Sequence, residues 1–302
     1  MDHEHHGLEH HGHHDHGHGP HDHDQHDHGQ HDHGHHDHES DASVADLLDL
    51  DAEVVGPYLD ELTAWARSHT QTVPAAIADV GAGTGTGILA LARRFKTAEL
   101  TAIDRSPTML DRLRAGAASR GVAGRLRTVQ ADLDTEWPRE VGAVDLAWAS
   151  SSLHHLADPD RVLADLHAAL NPGGLLVVVE MDGMPRFLPD GVHPGLEERL
   201  RQTAADNGWN AWPNWSGHLE RAGFTVAEER VFDISISPAP PAANRLAHRI
   251  MTGMHDRLAE QLPAPDVAAL DRLLEPGDVE FVLGRGDLVV RGARTAWAAR
   301  RP

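Results

Sequence analysis

The segment Asp79-Val80-Gly81-Ala82-Gly83-Thr84-Gly85 limits what this chain can fold into more than any other stretch. The apolar Ala76-Ile77-Ala78 and Val80 predict a short strand, and Gly87-Ile88-Leu89-Ala90-Leu91-Ala92-Arg93-Arg94 predicts a helix directly after the glycines. Strand, glycine loop and helix therefore follow in order. Glycines at alternate positions admit backbone angles closed to other residues and leave no Cβ in the way, so a ligand can lie against the main chain. The helix N-terminus then offers unpaired N–H groups to a carboxylate or phosphate. The dinucleotide fingerprint G-x-G-x-x-G would need a glycine at position 86 if it began at Gly81, or at position 88 if it began at Gly83. Thr86 and Ile88 stand there instead, which disfavours an NAD-dependent oxidoreductase.

A regular strand and helix alternation continues from this point. Strands are predicted at Leu100-Thr101-Ala102-Ile103, Leu126 to Gln130, Val144 to Trp148 and Leu175 to Val179. Ser106-Pro107 and Asp158-Pro159 read as helix starts, a capping side chain followed by proline at the first helical position. The second of these helices presents Val162, Leu163, Leu166 and Leu170 on one face, and Asn171-Pro172-Gly173-Gly174 is read as its stop. Five strands alternating with helices imply a parallel sheet with right-handed crossovers. Helices are also expected ahead of the first strand, at the front edge of the core, and at 242–262 and 266–274. A sixth strand is expected over Thr225 to Ile236 and a last one over Arg294 to Arg300.

Charge divides the chain in two. Before Arg67 there are 17 acidic residues and no Lys or Arg, so most of the formal −21 lies there and the remainder is near −4. Neither part looks like a basic nucleic-acid binder. Cysteine is absent, which excludes disulfides, thiolate metal sites and thiol nucleophiles. No apolar leader or run of about 18 apolar residues is present, so no membrane span is expected and the cytoplasm is the expected location.

An acidic residue followed by G-x-G-x-G, with acids closing the next two strands, resembles the class I S-adenosylmethionine-dependent methyltransferases. The resemblance is strong over Val73 to Glu180 and loose elsewhere. It implies an α/β fold of Rossmann-like, doubly wound type: a seven-stranded sheet, mostly parallel with an antiparallel last strand, and helices on both faces. It also implies a methyltransferase domain over 41–302. Within it, 41–72 are N-terminal helices, 73–182 the cofactor core, 183–224 and 238–275 helical lid insertions, and 225–237 and 287–302 the final strands.

The implied cofactor is S-adenosyl-L-methionine and the implied reaction is methyl transfer to a small-molecule O, N or C acceptor. Gly81, Ala82, Gly83 and Gly85 would form the cradle. Asp104 would accept both ribose hydroxyls, because a carboxylate offers two oxygens to a vicinal diol. Asp132 and the Leu133 backbone would face the adenine, with Arg105 and Met109 beside it, where packing is a sufficient alternative. Asp79 would either hold the methionine ammonium or only brace the loop. Methyl transfer needs little beyond positioning and desolvation. Ser150 begins the segment Ser150-Ser151-Ser152-Leu153-His154-His155-Leu156 beside the transferring methyl, where His154 or His155 is either a general base or a turn-packing residue. Lack of cysteine and of Asn/Asp-Pro-Pro-Tyr argues against methylation of DNA bases. Trp209, Trp212 and Trp215 would line an acceptor or anchor the lid.

Residues 1–40 are set apart as a tail in which positions 1–39 hold 18 of the 26 histidines, interleaved with Asp, Glu and Gly. Nothing apolar there offsets the entropy of ordering. Imidazoles at such density, for example His13, His14, His16, His35 and His36, favour Ni²⁺, Cu²⁺ and Zn²⁺ over Ca²⁺ or Mg²⁺. A second reading of the chain is therefore a metal-binding or metal-buffering protein with a methyltransferase-like scaffold.

Overall fold

A computed structural model of the protein describes residues 40–208 and 214–302. The histidines proposed as metal ligands, together with Trp209 and Trp212, lie outside the described residues. Seven strands form one sheet: β1 (Ala76–Val80), β2 (Glu99–Asp104), β3 (Leu126–Gln130), β4 (Val144–Ser150), β5 (Leu170–Met181), β6 (Thr225–Ile236) and β7 (Val290–Arg300). Their order is β3-β2-β1-β4-β5-β7-β6. Every neighbouring pair through β5 is parallel, and β7 runs antiparallel to both β5 and β6. The expected sheet is therefore the observed one.

Nine helices are described: α1 (Asp41–Val55), α2 (Tyr58–Ser68), α3 (Thr86–Arg94), α4 (Pro107–Ser119), α5 (Pro159–Ala169), α6 (Leu196–Asp206), α7 (Ser216–Arg221), α8 (Ala242–Leu258) and α9 (Ala264–Leu274). Alternation along the central strands sorts the sheet into two buried faces. Ile77, Leu146, Trp148, Val177 and Val179 pack with α2, α3 and α4. Ala78, Ala147, Ala149, Leu176 and Val178 pack with α5, α7 and Trp215. Trp215 is buried there, so this tryptophan anchors the region after β5 to the sheet.

A third core lies beyond the central strands and takes in the ends of β6 and β7 through Ile234 and Val290. Val54 and Val55 of α1 pack with Leu196 and Leu200 of α6, Leu246 and Ile250 of α8, and Leu270 and Leu273 of α9. None of these short amphipathic helices can bury its apolar stripe alone, and together they can. The expected division of the N-terminal helices changes accordingly: α2 lies against the sheet, while α1 joins the helices from after β5.

Two expectations are corrected. Leu170 does not extend the α5 face; it opens β5, pairing with Val144, and the register then jumps so that Leu146 meets Leu175. Asn171 to Gly174 is thus an irregularity inside the strand rather than a stop before it, with Gly173 at positive φ. The last strand starts at Val290 rather than Arg294, because Val290 to Ala293 continue the pairing with β6.

Candidate functional site

The carboxyl ends of β1, β2, β3 and β4 bring the predicted residues to one edge of the sheet, where ligands bind in open α/β folds. The loop after β1 is closed by Ala82 N–H donating to Ile103 O at 2.9 Å and Gly85 N–H donating to Ala82 O at 2.9 Å. Gly85 caps α3 at φ +90°, and a Cβ there would lie 2.5 Å from Leu113 Cγ. Positive φ is costly for a β-branched residue, and overpacking adds to it. Gly85→Val is therefore expected to lose about 3 kcal/mol of stability. Urea denaturation checks this, and a loss under 1 kcal/mol would mean that α4 yields.

Asp104 ties two loops together. Its Oδ2 accepts from Gly83 N–H at 2.8 Å and its Oδ1 from Ser106 N–H at 2.9 Å. Ser106 in turn caps α4 by accepting from Met109 N–H, and its hydroxyl meets Asp41 Oδ2 at 2.5 Å. Arg112 of α4 pairs with Asp46 and Asp49, so α1 is fastened across the glycine loop by polar contacts at its exposed side. Each such surface pair contributes at most about 1 kcal/mol.

Asp79 is buried at 2 % exposure beneath the loop. Burial raises its carboxyl to about 7; a hydrogen bond from Ile88 N–H opposes this, and Asp104 reinforces it. A cavity of about 120 Å³ opens above it, with Gly81, Ala82, Gly83, Trp148, Ser150 and Ser151 among its walls. The Trp148 indole N–H is buried there without a partner. The other walls were not legible in the sequence: Leu48 and Asp51 from α1, Tyr58 from α2 and Arg294 from β7.

The remaining candidates are not among the walls of this cavity. Asp132 is exposed, and its Oδ1 accepts from Asp134 N–H at 3.0 Å in a local turn. Leu133 and Met109 are buried, while Arg105 is exposed. Asp134 accepts from Ala157 N–H at 2.8 Å, and Arg161 donates to Leu133 O, which fixes the loop after β3 against the turn after β4.

The two histidines in the 3-10 turn Leu153–His155 have different surroundings, with ring centroids 4.0 Å apart. Partial burial, then His154 and Arg105, hold His155 well below the ordinary imidazole range, at about 4. It is a poor proton acceptor near neutrality. His154 instead meets Glu180 through Nδ1 at 2.7 Å. Glu180 closes β5 at 1 % exposure, and its other oxygen is buried without a partner. Glu180 was missed because it reads as the end of an apolar strand. Only its charge within Leu175 to Met181 hinted at a partner. The candidate dyad is therefore His154–Glu180, not His154–His155.

Among the described residues there is no cluster of three or more His, Asp or Glu arranged to hold a metal, and no helix is long and apolar enough to cross a membrane.

The chain is similar to known methyltransferases. Residues 77–174 match the family model described as a methyltransferase domain. The chain is 30 % identical over 225 residues to a trans-aconitate 2-methyltransferase of Methylobacterium radiotolerans, covering 74 % of this chain and 78 % of that protein. It is 38 % identical over 112 residues to a malonyl-[acyl-carrier protein] O-methyltransferase of Laribacter hongkongensis, covering 34 % of this chain and only 36 % of that one. A crystal structure from Bacillus halodurans, classed as a methyltransferase, shares the fold with a TM-score of 0.50 at 19 % identity, covering 80 % of this chain and 98 % of that one.

Proposed function

The chain belongs to the class I S-adenosylmethionine-dependent methyltransferases, and from that premise we propose that it methylates an oxygen of a small organic acid. The observation that carries the donor half is the edge described above, where a buried acid and a glycine cradle line one cavity and the strand-end acid Asp104 holds the cradle at Gly83. These residues fit a ligand with a cationic end and a diol. Asp79 answers the ammonium, Asp104 the ribose hydroxyls, and Asp132, Leu133, Arg105 and Met109 the adenine. The unpartnered Trp148 N–H leaves a donor for an oxygen atom of whatever fills the cavity. S-adenosylmethionine supplies an electrophilic methyl group on a sulfonium that leaves as a neutral thioether.

The acceptor half rests on the relatives' acceptors, trans-aconitate and a malonyl thioester, which share a free carboxylate. In this reading α1, α6, α8 and α9 are the lid over the acceptor. A carboxylate attacks without losing a proton, so the site needs positioning and exclusion of water more than a base. His154, held by buried Glu180, then orients the acceptor and does not deprotonate it.

Incubating the protein with methyl-labelled S-adenosylmethionine and trans-aconitate tests the reading. Label is expected in a product that releases methanol in mild alkali, as a carboxyl ester does. Alkali-stable label would rule out a carboxyl ester and move the methyl to carbon. His154→Gln is expected to lower kcat less than about tenfold and to leave the rate flat between pH 6 and 8. A loss of ~10²–10⁴-fold, or a pH limb of the wild-type rate that His154→Gln removes, would restore the base.

A further inference from the structure

β7 delivers one charge to the cavity that neither the glycine loop nor the strand-end acids explain. Arg294 is buried, with 4 % of its side chain exposed, and it lines the same cavity as Asp79 and Ser150. Its Nη2 reaches Asp51 Oδ1 only at 3.4 Å, and its Nη1 reaches Ala293 O at 3.5 Å. Tyr58 and Ser150 line the cavity with it, and the Arg294 charge acts on the Tyr58 hydroxyl. A guanidinium has five donors in a planar fork, and burying it is costly unless they are well paired. The same chain builds a far better pair where the role is structural: Arg199 grips Asp266 with two bonds of 2.8 and 2.7 Å. Asp51 is itself a weak counterion. A third exposed by area yet set in the cavity wall, it is pushed upward by burial more than Arg294 lowers it.

We propose that Arg294, which shares the cavity wall with Tyr58, is the specificity residue that grips a carboxylate of the acceptor. This rests on the reading of the acceptor as a small organic acid, and narrows it to di- and tricarboxylates. A carboxylate in a bidentate bond to arginine is a weakened nucleophile, so the group that receives the methyl must be another one on the same molecule. The alternative source of a carboxylate is the methionine end of the cofactor. β1, which carries Asp79, lies three strand spacings from β7, roughly 14 Å between backbones, yet both side chains reach one cavity, so the response of S-adenosylhomocysteine affinity to Arg294→Met separates the two sources.

The test is calorimetric titration of the full-length protein loaded with S-adenosylhomocysteine, using trans-aconitate, succinate, acetate and the trimethyl ester of trans-aconitate. Trans-aconitate is expected to bind more tightly than acetate, and the triester not to bind. Arg294→Met should weaken trans-aconitate about 10- to 100-fold while S-adenosylhomocysteine stays within twofold. Arg294→Lys, which keeps charge but loses the fork, should fall between. Should Arg294→Met not fold, Tyr58→Phe gives the same sign at several-fold magnitude. The proposal is overturned if no carboxylate binds the wild-type protein, if Arg294→Met leaves trans-aconitate unchanged, or if S-adenosylhomocysteine weakens by the same factor as trans-aconitate. That last result would put the guanidinium on the cofactor. Failure of the wild-type protein to bind S-adenosylhomocysteine at all would instead refute the methyltransferase reading of the site.

Discussion

Asp79→Asn is expected to stabilise the cofactor-free protein at pH 8 by as much as ~4 kcal/mol while weakening S-adenosylmethionine binding ten- to a hundredfold. Both effects come from one buried carboxyl. Its folded value is about 7 against an ordinary 3.8, because burial disfavours the charge more than the Ile88 N–H favours it. The folded state therefore holds a proton that the unfolded chain has lost between about pH 4 and 7. The contribution to stability is full below pH 4, falls as the pH rises, and is gone above 7. Asparagine keeps an oxygen for Ile88 and never ionises, so the variant escapes the loss. Carboxyls such as Asp145 and Asp266 are held below their usual range and act in the opposite direction, but they are common to both proteins and cancel in the difference. Urea denaturation of wild type and Asp79→Asn at pH 4.5, 6 and 8 should show a difference that grows with pH and then levels. A difference flat with pH would mean that Asp79 is not the titrating group. Ligand binding reverses the sign: an ammonium beside Asp79 favours the carboxylate, so at pH 6 binding by wild type should release a proton that Asp79→Asn cannot supply.

The parallel half of the molecule was legible because each candidate position there lies at or next to the end of a strand with its own sequence signature. Asp79, Asp104 and Asp132 could be found by counting from the glycines, since parallel strands with crossover helices place successive strand ends at one edge. Ser106 and Asp158 were likewise readable as caps from the proline that follows each. Arg294, Tyr58 and Asp51 were not readable in the same way. They reach the cavity from β7, which runs backwards along the sheet, and from helices ahead of β1, about 200 residues and more away in sequence from Arg294. Nothing local marks an antiparallel return, and α1 looks like any short amphipathic helix until α6, α8 and α9 are packed against it. Glu180 was hidden for another reason. Its strand is buried on both faces, so alternation gives no sign that one residue turns toward His154.

Removing the Asp104 carboxylate should abolish cofactor binding for practical purposes. Asp104→Ala takes away the acceptor for Gly83 N–H and Ser106 N–H, now at 2.8 and 2.9 Å, and also the oxygens proposed for the ribose diol. Two charge-assisted bonds to the ligand at ~1.5–3 kcal/mol each correspond to a loss of roughly 10²–10⁴-fold in affinity. The structural loss is smaller, because Asp104 is only partly buried and water can replace it at the two amides. The loop itself keeps its Ala82–Ile103 and Gly85–Ala82 bonds. Asp104→Asn separates the two roles. Its single amide oxygen can serve one backbone N–H but carries no charge for the diol, so it should retain most of the stability and little of the affinity. Calorimetry with S-adenosylmethionine on the full chain reads the affinity, and thermal unfolding reads the loop. If Asp104→Ala binds within threefold of wild type with an unchanged transition, Asp104 is a brace between β1 and β2 and the diol lies elsewhere.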